Sequence, residues 1–225
     1  MTIAMHQANY LPWMGFFDKL QKADVFVIFD DIQLPLRKNF ETTAIIKSAN
    51  GPLELVVPVK NRNDKILEKD AGLLDMGFKK KHLKSVEIAY SKAPYYNDYI
   101  RGIRDVYGKD YNKLVDFNIA FINLISEFLH IKTKLVLSSS LNIQTHGEDK
   151  IIDTVKVLGG DTYISGTGAG SRKYVKDEDF NNLGIKLIWQ NFQHPVYGQL
   201  YGDFVPGLSI IDYLLNEGGK LYETF

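Results

Sequence analysis

The chain has 225 residues, enough for one large domain or a domain with a sizeable insertion, and its 45% apolar content suffices for a proper core. Lysine plus arginine and aspartate plus glutamate both number 27, so no basic excess exists to neutralise phosphates and no nucleic-acid partner is expected. Cysteine is absent, which removes disulfides, thiolate catalysis and zinc–thiolate sites and fits a reducing, cytoplasmic setting. No signal-peptide pattern opens the chain and no apolar run approaches about 20 residues, so no membrane span is expected.

"TIAMH" at residues 2–6 reads as a short buried strand, and a helix is expected from about Met14 to Lys22. "ADVFVIFDD" is the clearest strand, five apolar residues ending in Asp30 and Asp31. Strand, loop, helix and strand within thirty residues make a βαβ unit, the builder of parallel sheets. "LELVVPVK" at 53–60 reads as another strand. Between about 72 and 131 three amphipathic stretches predict a helical insertion; in the third, Leu114, Phe117, Phe121, Ile125 and Phe128 recur at spacings of three and four. "TKLVLSSS", "DTYISG" and "IKLIWQNF" read as further strands. Thr145 and Glu148 stand in capping-box register before a helix, and Ser209 with Asp212 can cap the closing helix. The predicted fold is α/β with a mainly parallel, Rossmann-like sheet and the helical insertion at about 72–131, in a single domain over 1–225.

Ligands of open α/β sheets bind at the carboxyl ends of the strands. Those ends carry His6, Asn9 and Tyr10 after the first strand and Asp30 and Asp31 after the second. His6 is the candidate general base, with Asp30 or Asp31 orienting its second ring nitrogen. The aspartates can alternatively hold a sugar hydroxyl, an ammonium or a magnesium ion, although no metal-ligand set is assigned. Asn9, Tyr10 and Trp13 suit a sugar or a base, while packing is the expected role of Trp13 and Phe16. "SGTGAGSRKY" joins Ser165, Gly166 and Gly168 to Arg172 and Lys173, a pattern suited to a diphosphate. Tyr197, Gln199 and Asp203 lie on a polar loop that can complete a pocket. The lysines at 79–84 read as a solvated face.

Three blocks together resemble the WbqC-like family: "HQANYLPWMGFFDKLQKADVFVIFDDIQ", "NGPLELVVPV", and the nearly continuous "YISGTGAGSRKY" with "GIKLIWQNFQHPVYGQLYGDFVPGLSIIDYLLNEGG". The resemblance spans almost the whole chain. Where relatives carry an arginine-rich stretch after the aspartate pair, this chain reads "KNFETTAIIK" and keeps only the cations Lys38 and Lys47. A fainter likeness connects "NYLPWMGFF" and "ISGTGAGSRK" to nucleotidyltransferases with a His-x-Gly-His motif. Gly15 is retained, but Trp13 and Phe16 stand where the histidines would fall, so this likeness bears on fold rather than reaction.

The resemblance implies work in surface-polysaccharide (O-antigen) biosynthesis, on a nucleotide-linked amino sugar whose amine receives an acyl or aminoacyl group. The donor is expected to be an acyl carrier protein thioester, a coenzyme A thioester or an acyl-adenylate made from ATP. The competing expectations are a non-catalytic module that binds a nucleotide sugar or a partner, and an adenylate-forming amide ligase.

Overall fold

The computed structural model describes residues 1–61, 64–74 and 77–220. In chain order the elements are β1 (Thr2–His6), α1 (Met14–Gln21), β2 (Val25–Ile28), β3 (Thr43–Ser48), β4 (Gly51–Val56), α2 (Phe78–Tyr90), α3 (Tyr96–Gly108), α4 (Leu114–Phe128), β5 (Lys134–Leu137), α5 (Gly147–Val157), β6 (Thr162–Ser165), α6 (Ala169–Tyr174), α7 (Asp177–Asn182), β7 (Lys186–Trp189) and α8 (Ile210–Glu217). The chain divides into two compact units. The first holds Met1–Gln7, Asp18–Asp31 and Lys132–Phe192; the second holds Ala8–Phe17, Ile32–Ile131 and the chain from Gln193 on.

A five-stranded, wholly parallel sheet in the order β5-β2-β1-β6-β7 forms the first unit. The chain builds outward from β1 through β2 to β5, then returns to the other side of β1 for β6 and β7, which is the Rossmann-type order. Successive side chains of a strand alternate between faces. Ile3 and Met5 of β1 and Val25 and Val27 of β2 therefore share one face, where they pack with Ile151, Ile152 and Val155 of α5 and with Val175 and Phe180. Burying each such side chain contributes about 1.5–3 kcal/mol. Tyr163 of β6 stacks on Phe180 with ring centroids 5.3 Å apart.

The second unit contains the β3–β4 hairpin and α2, α3, α4 and α8. Periodicity places α2–α4 correctly, and Leu114, Phe117, Phe121 and Ile125 are buried, while Phe128 at the end of α4 is only partly so. Phe117, Phe121, Tyr107 and Tyr10 form one aromatic cluster. Asn118 on α4 donates to the carbonyls of Ala8 and Glu41, 2.6 and 2.8 Å away, and so anchors two irregular segments.

Three local expectations need correction. The strand expected at 53–60 spans 51–56 and pairs antiparallel with β3, outside the parallel sheet. The capping box at Thr145 does not form: His146 precedes the first turn of α5 without a side-chain cap, and the Thr145 hydroxyl donates to Asp153 at 2.8 Å. Ser209 does cap α8, but Asp212 is fully buried and accepts bonds from two tyrosines instead.

Candidate functional site

The strand order reverses between β1 and β6 in the first unit, and His6 and Ser165 end those two parallel strands. His6 Nδ1 lies 3.1 Å from the Gln7 carbonyl oxygen. A carbonyl only accepts, so Nδ1 carries the proton and Nε2 the lone pair. Burial, reinforced by the positive charge of Lys19, lowers the His6 pKa to about 3, so the ring is neutral at physiological pH.

Lys19 is a residue that sequence reasoning passed over. It comes from α1, is 3% exposed, and donates to the Met5 carbonyl at 2.9 Å with its Nζ 5.9 Å from the Phe26 ring centre. Burial lowers its pKa to about 7. A lysine on an amphipathic helix ordinarily faces water, and only the tertiary packing reveals this one as internal. Its neighbour Asp18 pairs with Lys22 at 2.9 Å and accepts from Gln190 at 2.8 Å.

The aspartate pair does not orient His6. Asp30 accepts from the Ser139 amide at 2.9 Å, the Ser139 hydroxyl at 2.6 Å and the Ser138 hydroxyl at 3.1 Å. Asp31 accepts from Ser138 at 2.5 Å and from Lys150 Nζ at 2.7 Å. Burial pushes the Asp31 carboxyl up, but its bonds to Lys150 and Ser138 outweigh that and hold it below the usual range. Both carboxylates thus tie the exit of β2 to the segment after β5, and Asp31 also to α5. The orienting acceptor for His6 is the Gln7 carbonyl.

The glycine-rich stretch is a short turn leading into α6. Ser165 is fully buried and donates to the Gly166 carbonyl at 3.2 Å. Gly168 precedes the first turn of α6. Lys173, expected to contact phosphate, is exposed on α6 with its Nζ 4.9 Å from the Tyr174 ring, and Arg172 lies over Trp189.

Asn9, Tyr10, Lys38, Tyr197 and Gln199 belong to the second unit. One cavity of that unit, of about 250 Å³, is lined by Asn9, Trp13, Phe40, Thr43 and Ser209 among others, with Lys38 and Glu54 in a 2.5 Å ion pair. Asn9 is 1% exposed, and its Oδ1 has no hydrogen-bond partner. The ring of Trp13 lies over Gly15: a Cβ there would come within 2.2 Å of it, which explains the glycine at that place. Tyr10 also lines this cavity. Its hydroxyl is buried between His82 Nδ1 at 2.9 Å and the Tyr107 hydroxyl at 2.5 Å.

Tyr197 and Gln199 are hydrogen-bonded within the second unit. The Tyr197 and Tyr90 hydroxyls each donate to Asp212 at 2.8 Å. Gln199 accepts from the Val205 amide at 2.8 Å and from Lys47 Nζ at 3.2 Å. Lys47 is 2% exposed and also donates to the carbonyls of Gly202 and Asp203. This network closes the 197–205 loop against β3.

Among the described residues no group of three histidine, aspartate or glutamate side chains is arranged to hold a metal ion, and no helix is long and apolar enough to cross a membrane. The model of the WbqC-like protein family matches residues 7–223. The uncharacterized protein Rv1507c of Mycobacterium tuberculosis is 29% identical over 97% of this chain and 94% of its own length. No solved structure matches.

Proposed function

The chain belongs to the WbqC-like protein family, and we propose that it is a transferase attaching an acyl or aminoacyl group to the amine of a nucleotide-linked amino sugar, in surface-polysaccharide assembly. The observation that carries this reading is a neutral histidine, His6, held in one tautomer at the carboxyl edge where the strand order of the parallel sheet reverses. With no cysteine for a covalent relay, the sugar amine attacks the donor carbonyl directly. With a thioester donor, a C–N bond forms and a C–S bond breaks; His6 Nε2 takes the proton from the attacking nitrogen and returns it to the leaving sulfur. A bound diphosphate raises the depressed His6 pKa, because a nearby negative charge favours the imidazolium.

The test is a panel of nucleotide-linked amino sugars incubated with purified protein and acyl thioesters, or with acids plus ATP, read by mass spectrometry. The expected product is an N-acylated nucleotide sugar with release of free thiol. Product only with ATP, together with AMP release, would identify an amide ligase. Nucleotide-sugar binding without any new mass would overturn catalysis and leave a binding module.

A further inference from the structure

The polar groups beside Gly166 have no assigned task. A Cβ built on Gly166 would stand 3.4 Å from the Ser171 hydroxyl and 3.9 Å from Lys19 Nζ, with no other atom beyond the two adjoining residues within 4 Å. The absent side chain therefore leaves a notch flanked by a hydroxyl and an ammonium, next to the turn that leaves β6. When protonated, Lys19 has three N–H donors, and the Met5 carbonyl takes one of them. No carboxylate among the described residues forms an ion pair with it, although it is 3% exposed. A buried ammonium without a counter-charge is costly unless something anionic completes it.

We propose that Lys19, Ser171 and the notch at Gly166 form a phosphate cradle, which holds the diphosphate of a nucleotide ligand at the reversal point of the sheet. An anionic oxygen in the notch accepts from Lys19 Nζ and from the Ser171 hydroxyl, both charge-assisted contacts. The cradle lies at the crevice where ligands of Rossmann-type sheets bind. The groups that bear on Lys19 are few: His6 is held neutral, and Asp18 is engaged with Lys22 and Gln190. The exposed Lys173 is not needed for this contact. The inference rests on the transferase reading only in taking the diphosphate to be that of a sugar nucleotide.

Titration calorimetry on the full chain tests it, with inorganic pyrophosphate, UDP and ADP as probes at pH 7.5 in two buffers of different ionisation enthalpy. UDP and pyrophosphate should bind with proton uptake, because the anion raises the pKa of Lys19 and of His6, and Lys19→Met should reduce that uptake. Lys19→Met and Gly166→Ala should each weaken binding about tenfold or more. Gly166 has no positive φ and its notch has ordinary contact distances, so Gly166→Ala should keep the wild-type melting temperature while filling the space. Lys156→Ala, an exposed lysine on α5, controls for net charge and should leave affinity within about twofold. ADP binding as tightly as UDP would assign the cradle to phosphates alone, while preference for UDP adds a base contact; both retain it. Absence of pyrophosphate and UDP binding in the wild type, or affinity unchanged in both variants, overturns the cradle. If binding behaves as expected but no acyl transfer occurs, the transferase reading fails and the cradle stands; transfer at wild-type KM in Lys19→Met removes the cradle alone.

Discussion

Lys150 Nζ stands 2.7 Å from Asp31 Oδ2, with side chains 7% and 13% exposed, and the two residues are 119 positions apart in the chain. Breaking a buried pair leaves one charge uncompensated, which typically costs about 3–5 kcal/mol. Asp31 keeps its Ser138 bond and some solvent, so Lys150→Met should destabilise by about 3 kcal/mol, the lower end of that range. Adding Asp31→Asn should recover much of the loss. Urea unfolding of wild type, both single variants and the double variant reads the coupling, and simple additivity would show that the pair is not a stabilising unit.

His6→Gln should lower turnover in the proposed transfer by about 100-fold or more with KM little changed, since the base acts on a proton that moves only in the reaction. The fold should persist, because the bond from the ring to the Gln7 carbonyl is local to the neighbouring backbone. Steady-state kinetics at saturating donor are the measurement. Full turnover in the variant would leave catalysis to positioning alone.

His82 links stability to pH. Burial lowers its pKa from 6.5 to about 4. The unfolded chain then binds a proton below pH 6.5 that the folded chain refuses until about pH 4, so the stability present at neutral pH declines through that window as pH falls. The loss attributable to His82 by pH 4.5 is on the order of 2 kcal/mol. In His82→Gln the urea midpoint should be lower at pH 7 but fall less steeply toward pH 4.5. His6, lowered further still, acts in the same direction, so the wild-type curve should retain part of its slope in the variant.

Gly15→Ala should disturb Trp13, because the new methyl would come within 2.2–2.6 Å of the indole ring. Overpacking of this kind costs about 1–3 kcal/mol. The chain has two tryptophans, so the reading is cleanest in a Trp189→Phe background, where a shifted and more quenchable Trp13 emission is expected. An unchanged spectrum and midpoint would show that the ring moves aside without cost.

The parallel sheet was legible because each of its strands is a short apolar run that nothing else in the chain explains. β3 was not: Lys47 interrupts its run, and the segment reads as a cationic stretch rather than a strand. The signal was present in Asn50–Gly51, a dipeptide that favours tight hairpins, and Gly51 does adopt φ 97°. Of the candidate site residues, the placement of His6 and Ser165 at strand ends was legible. Asp30, Asp31, Tyr197 and Gln199 looked available because their partners lie far along the sequence, at Ser138, Ser139, Lys150, Lys47 and Asp212. Lys19 hid for the opposite reason: a lysine in a helix announces solvent, and only the folded chain shows it inside.

The position of β1 shapes how the protein must be made. β1 lies between β2 and β6, and the Thr2–Thr162 register joins residues 160 apart. At about 5–20 residues per second of synthesis, one edge of the first strand waits on the order of 10–30 s for its neighbour. Such distant pairing also slows folding, because the chain must close a long loop before the contact rewards it. During that interval Ile3, Ala4 and Met5 have β2 on one side and an unpaired strand edge on the other. A nascent chain paused before residue 162 should therefore be more prone to chaperone binding and to edge-to-edge aggregation than the finished protein.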